Sequence, residues 1–370
     1  MSEKTRAETR PAPQTGPVVE TGGGSDSRWS SILRTVLTQR VLLVAILLIV
    51  MLAVMFSLDA SGQMSGNYNA QYLASSLINV VPLVMLALAQ LVVIVTGRGA
   101  IDLSVGSMVS LVSMIFGFAH GMWGVPLIPA IVLAIAAGGI LGAVNGVLVA
   151  YLGFPPLIAT LATYYAYWSI ALVVNDQKPI NSPEIQEMYQ TARAIPIPGL
   201  SGFVPNIPLG IFLFLIPTVI VVWYLLNRAP YGRRLYATGT NDVAAEWAGI
   251  NVAAVRMRAF VISGMISGLV AVVTVGQFAS ARPDAGTSGN GMALPAITIA
   301  VLGGVAITGG IGRVAGVVLA GLLVVWLNAG ILLIFPGNHG TQYQLLALGV
   351  VLVFAALLNG YTNRRFQVLT

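Results

Sequence analysis

Side chains able to do chemistry are scarce in the middle of this chain, and their spacing suits contacts rather than covalent steps. The stretch GRGAIDLSVGS, 97–107, sets Arg98 and Asp102 in a glycine-rich turn between two long apolar runs. An acid just ahead of LSVGSMVSLVSM can cap or charge-stabilise a helix N-terminus. Gly97, Gly99 and Gly106 permit a tight re-entry and close helix contact, with Ser104 between them. A second group lies in NDVAAEWAGI, 241–250. Asn241 or Asp242 can start a short helix there, and Gly249 can end it. Asp242 and Glu246 stand one turn apart on one face, beside the small Ala244, Ala245 and Ala248. Such a helix can dock into a groove on another protein, or be an ordinary solvated loop helix. A third group is polar but sits inside apolar runs: Asn79, Gln90, Asn145, Thr160, Thr163, Tyr164, Trp168, Gln277 and Asn328. Polar groups in such runs either line a cavity or satisfy one another in helix packing. Thr160, Tyr164 and Trp168 recur every four residues and so share one helical face.

Covalent chemistry finds no support. No GxxxxGK[ST] phosphate loop occurs, and the only lysines are Lys4 and Lys178. There are no cysteines, hence no disulfide, thiolate or cysteine metal site. His120 and His339 are far apart with no ligand spacing, and no Ser/His/Asp or HExxH arrangement emerges. The expectation is a chain with no catalytic residues, no metal and no cofactor of its own.

The elements that position these groups follow from composition. Of 370 residues 57% are hydrophobic and 8% charged, too few charges to cover a soluble surface. No Asp, Glu, Lys or Arg occurs across 60–97, 103–175 or 314–363. The pattern predicts an all-α polytopic membrane protein with about ten spans, near 41–58, 73–96, 103–120, 125–152, 156–174, 207–227, 259–279, 292–308, 314–334 and 341–360. With both termini in the cytoplasm, 15 of the 18 Lys and Arg fall on the inside, which favours an even count and an N-in, C-in topology. The net charge of +6 then reflects basic loops and not nucleic-acid binding. Residues 1–38 read as a disordered cytoplasmic tail, 39–362 as the membrane domain and 363–370 as a second cytoplasmic tail. Within the membrane domain, 175–206 forms an external, periplasmic loop and 227–258 a cytoplasmic one. Ser182 and Pro183 can open one short helix in the external loop. Glycines four apart (Gly138, Gly142 and Gly146; Gly264 and Gly268) suit close helix packing in lipid.

Five segments in order resemble the inner-membrane permeases of bacterial ABC importers for ribose and related monosaccharides. They are TGRGAIDLSVGS (96–107), NGVLVAYLGFPPLIATLAT (145–163), PYGRRLYATGTNDVAAEWAGI (230–250), FASARPDAGTSGNGMALPAI (278–297) and AVLGGVAITGGIGRVAGVVLAG (300–321). The resemblance covers about residues 70–360. It implies two inverted five-helix halves and alternating access without covalent catalysis. Its implied partners are a second permease copy or close paralogue, a cytoplasmic ABC ATPase carrying ATP and Mg, and a periplasmic or lipid-anchored sugar-binding protein, in the bacterial inner membrane. It also implies an ATPase-coupling role for Asn241, Asp242, Ala245, Glu246 and Gly249, and a gate at Gly97, Arg98, Asp102, Ser104 and Gly106. An aromatic-plus-hydroxyl face suits a sugar, so Asn79, Asn145, Thr160, Tyr164, Trp168 and Asn328 become candidates for the path. Nucleosides, a furanosyl signal molecule, polyols or branched-chain amino acids are alternative cargoes, and an ion-coupled secondary transporter is an alternative class. The related pattern TGGIDLSVG is two residues shorter than TGRGAIDLSVG, which here carries an added arginine. That addition marks Arg98 and Asp102 as a pair to test.

Overall fold

The computed structural model describes residues 40–196, 205–288 and 291–366. The expected tail 1–38 lies outside them, as do 367–370 and the middle of the external loop, 197–204. The helices are α1 (Arg40–Ala60), α2 (Ala70–Ile94), α3 (Val105–Phe116), α4 (Leu127–Ala150), α5 (Pro156–Val173), α6 (Pro183–Glu187), α7 (Ile216–Asn227), α8 (Pro230–Thr240), α9 (Asp242–Trp247), α10 (Val252–Phe278), α11 (Ala293–Leu302), α12 (Val314–Ile334) and α13 (Asn338–Phe366). A π-helical turn, Gly117–Met122, extends α3, and another, Ile211–Leu215, precedes α7. The small strands β1 (Ala194–Ile195) and β2 (Ile207–Pro208) pair antiparallel in the external loop.

Among the described residues seven helical segments are long and apolar enough to cross a membrane, or eight if the bent α7–α8 unit is one span. The expected count of ten is not confirmed by these segments. The clearest departure is 292–308, where the helix α11 has 10 residues. That is ~15 Å, half of a hydrocarbon core. Gly304, Gly309 and Gly310 follow at positive φ, which ends the helix and folds the chain back. α10 also begins seven residues before the expected span at 259, so Arg256 and Arg258 belong to its first turns.

α2 is the hub, buried from Val80 to Ile94 except at Leu83. α10, α3, α4 and α5 build outward on one side, and α11, α12, α13 and α1 on the other. α4 and α10 are the most intimate pair, and the glycine ladders explain it. A Cβ on Gly142 would overlap the Phe260 carbonyl, and one on Gly138 or Gly264 would overlap the other's carbonyl. Backbones meet there with no side chain between them.

Two segments turn back inside this bundle. The first, 97–104, follows α2 and leads into the short α3. The second, 279–292, follows α10 and leads into the short α11. It descends along α3 from the opposite end: Ser113 Oγ accepts the Arg282 N–H (3.2 Å), and Ser110 Oγ accepts the Gly286 N–H (3.0 Å). Gly286 and Gly106 touch backbone to backbone, with the Ala293 amide beside them, so the N-terminal ends of α3 and α11 meet within the protein. Gly142→Val should abolish accumulation of folded protein in membranes. Gly139→Ala, whose Cβ would meet the flexible Met265 side chain and make an ordinary contact with Val261, should be tolerated. Membrane expression followed by size-exclusion chromatography in detergent separates the two.

Candidate functional site

The first site grows from Asp102. Its side chain is fully buried in the first re-entrant segment. Oδ1 accepts the Ser104 N–H (3.0 Å), the Ser104 hydroxyl (2.6 Å) and, at 3.4 Å, Asn145 Nδ2 from α4. Oδ2 accepts the Ser263 hydroxyl from α10 at 3.3 Å. Asn145 also donates to Ser104 Oγ (2.8 Å) and accepts the Thr163 hydroxyl (2.7 Å) from α5. Thr160 donates to the Pro156 and Ile101 carbonyls. Gln90 of α2 donates to the Asp102 carbonyl and accepts its N–H. The carboxylate joins the segment directly to α4 and α10, the Asp102 backbone adds α2 and Asn145 adds α5, and the carboxylate also faces the positive N-terminal end of α3. Ser104 is the residue before α3, and its own side chain makes no capping bond to that helix. Asp102 supplies the acceptor from two residues further out.

No Lys or Arg among the described residues pairs with Asp102. The expected Arg98–Asp102 pair is therefore not formed. Arg98 sits at φ +54°, between Gly97 at +81° and Gly99 at +65°. This left-handed run turns its side chain away from the bundle, and its Nε meets Asp242 Oδ2. Asp242 Oδ2 also accepts Arg256 Nη2 at 2.9 Å. In the second re-entrant segment the corresponding charges do pair locally, Arg282 forking onto Asp284 at 2.9 and 3.1 Å.

The second site is the hairpin α8–α9 at the arginine-bearing end. Pro230 occupies the first turn of α8, and Asn241 ends α8 and caps α9, accepting the Ala244 N–H at 3.0 Å. Gly249, at φ +79°, terminates the turn after α9. Ala245 packs inward while Glu246 is exposed. Val243 and Trp247, one turn apart, project outward, and Trp247 is 88% exposed. Neither residue stood out in the sequence, where the single signal was a Trp among alanines. α8 was not foreseen either, because PYGRRLYATGT is too polar for a span. Its Tyr236 hydroxyl donates to the Gly312 carbonyl (2.7 Å) and its Tyr231 hydroxyl to the Val255 carbonyl (3.2 Å).

The third site is a cavity of about 660 Å³ at the other end of the bundle, between α2, α10, α12 and α13. Tyr72, Ser75, Ser76, Asn79, Gln277, Asn328 and Gln344 supply its polar lining, and no charged side chain among the described residues lines it. Pro82 lies inside α2 and has no N–H to give to Ile78. The Ile78 carbonyl instead accepts Gln277 Nε2 at 2.6 Å. Gln344 Nε2 bonds the Asn328 carbonyl at 2.9 Å. The side-chain amides of Asn79 and Asn328 bond no described residue. The polar residues of the spans thus divide. Asn79 and Asn328 face the cavity, while Asn145 and Thr160 are held by Asp102 and its neighbours. Tyr164 and Trp168 lie against each other, 5.8 Å between ring centres, half-buried on α5, and neither lines the cavity. His120 and His339 belong to no cluster, and no group of three or more metal-ligating side chains occurs among the described residues.

A helical bundle with two segments that turn back inside it, an exposed hairpin at one end and a polar cavity at the other suits a membrane transport subunit. A family model described as "branched-chain amino acid transport system / permease component" matches residues 72–356, and the chain belongs to that family. It is an ABC import permease and a multi-pass protein of the bacterial inner membrane. The chain is 32% identical over 269 residues to the ribose import permease protein RbsC of Haemophilus influenzae, covering 72% of this chain and 78% of that one. It is 32% identical over 259 residues to the D-allose transport system permease protein AlsC of Escherichia coli K12, covering 70% and 74%. It is 34% identical over 251 residues to the autoinducer 2 import system permease protein LsrD of Photorhabdus laumondii, covering 67% and 71%. No solved structure matches the chain.

Two predictions follow from the charges. Asp102→Leu strands the Ser104 and Ser263 donors and should lower stability by about 1–3 kcal/mol per stranded group, whereas Asp102→Asn, which keeps an acceptor, should cost less. Thermal unfolding in detergent ranks the two. The Arg256 hydrogen bond and then the nearby Arg98 charge hold the Asp242 carboxyl below its usual range. A lowered folded-state pKa gives stabilisation that is complete above the unfolded carboxylate pKa and lost as pH falls through the lowered value. The wild-type advantage over Asp242→Asn should then stay constant from about pH 8 to pH 5 and shrink only in stronger acid.

Proposed function

We propose that this chain is the translocating subunit of an ATP-driven, binding-protein-dependent importer of a neutral sugar, a ribose-like monosaccharide or related polyol. The observation that carries this is the uncharged, amide-rich cavity with two unengaged carboxamides, Asn79 and Asn328. Amides and hydroxyls offer paired donors and acceptors to sugar hydroxyls, and Tyr72 and Phe278 offer ring faces. A branched-chain amino acid brings an ammonium and a carboxylate, and the cavity wall has no counter-charge for either. The relatives named for ribose, allose and autoinducer 2 support the polyhydroxylated class. A self-powered transporter would favour charged groups facing a midplane cavity, whereas the carboxylate of Asp102 is buried and spent on protein donors.

The remaining parts follow from this reading. The positive-inside rule puts the arginine-bearing end, and both termini, in the cytoplasm. α9 then docks on a partner ABC ATPase, which holds the ATP and Mg, through Trp247, Val243 and the exposed Glu246. A periplasmic or lipid-anchored binding protein delivers cargo to the cavity end, and a second permease copy or paralogue completes the complex. The recurring order of long helix, re-entrant segment and short helix corresponds to two inverted halves, and alternating access moves them against each other.

Thermal-shift screening of the partner binding protein should return a neutral pentose, hexose or furanosyl compound; stabilisation by branched-chain amino acids alone overturns the proposal. In the assembled importer Asn79→Leu and Asn328→Leu should each lower uptake roughly 2- to 10-fold with ATPase docking intact. Unchanged uptake in both removes them from the path. Trp247→Ala should instead weaken copurification of the ATPase.

A further inference from the structure

Three elements meet around one carboxylate at the arginine-bearing end. Arg98 comes from the first re-entrant segment, Arg256 from the start of α10, and Asp242 from the first turn of α9. Beneath them the backbone is packed without side chains. Gly239 of α8 lies against the Val95 carbonyl and the Gly310 amide, and Gly309 lies against Gly97. The Gly310 N–H donates to the Val95 carbonyl at 3.0 Å. The hairpin therefore rests on both the 97–104 segment and the 303–313 segment through α8. Contact between α9 itself and the first re-entrant segment runs through the Arg98–Asp242 pair.

We infer that Arg98 is a positioning residue that ties the docking helix α9 to the first re-entrant segment through Asp242. Four residues along, Asp102 joins that segment to α3, α4 and α10. A displacement of α9 by its partner is passed through Arg98 to Gly97–Gly99, and from there to the helices around Asp102. Arg98 is two-thirds exposed, its side chain showing 67% of its surface. An ion pair so exposed contributes little to folding, yet the chain holds this arginine in a left-handed conformation that disfavours any residue but glycine. The inference rests on the reading of α9 as the ATPase-docking helix.

The test uses the complete importer, with ATPase and binding protein, in proteoliposomes, and reads ATP hydrolysed per sugar imported. Arg98→Gln should assemble and show basal hydrolysis like the wild type, but raise that ratio roughly 2- to 30-fold. Arg98→Lys, which keeps a cation within reach, should recover part of the loss. The Arg98→Gln/Asp242→Asn double variant should be no worse than the more damaged single one. An unchanged ratio in Arg98→Gln, or fully additive losses in the double variant, overturns the inference while wild-type coupling stands. Absence of sugar-stimulated hydrolysis in the wild-type complex overturns the functional reading itself.

Discussion

A chain that turns back inside a membrane exposes backbone donors and acceptors where no water can bond them, and everything in this fold depends on meeting that demand. Asp102 does so for the first re-entrant segment. Its carboxylate gathers one backbone N–H, two hydroxyls and one amide. Its own backbone N–H and carbonyl are matched by Gln90. The charge is tolerated without a cation because its donors converge on it and α3 points its positive end toward it. The second segment meets the same demand with neutral groups, the serine hydroxyls of α3.

Once the two segments are satisfied inside the bundle, the rest is arranged around them. α3 and α11 begin side by side, where Gly106 and Gly286 allow the backbones to touch. The α8–α9 hairpin seats on glycines of the first re-entrant segment and of the 303–313 turn. At the other end the proline in α2 opens a cavity wall and frees a carbonyl for Gln277. Polar side chains thus fall into two groups: those near Asp102 bond one another within the bundle, and Asn79 and Asn328 line the cavity at the other end.

Much of this was legible in the sequence. Apolar runs located the long helices, with 314–334 matching α12 residue for residue. NDVAAEWAGI announced a capped, glycine-ended short helix, and α9 is that helix. Ser182 caps α6 in the external loop, accepting the Ile185 N–H at 3.3 Å. The glycine ladders marked the α4–α10 contact, because four-residue spacing is a property of one helix face. Other features depended on distance in space. Arg98 has its partner 144 positions away in Asp242 rather than four positions away in Asp102, and no local pattern distinguishes them. The run 292–308 is apolar enough for a span, and hydropathy does not register that glycines at 304, 309 and 310 fold the backbone. The division of polar residues between cavity and framework is likewise tertiary: Asn79 and Asn145 look alike in sequence and differ only in whether neighbours fill their hydrogen bonds.

The most direct measurement is ATP-dependent uptake by proteoliposomes carrying this permease with its ATPase and binding protein, comparing radiolabelled neutral sugars with branched-chain amino acids. Accumulation of a neutral sugar, dependent on both ATP and the binding protein, is the expected result. Accumulation of leucine or valine with no sugar transported, or sugar uptake driven by a proton or sodium gradient without ATP, would contradict it.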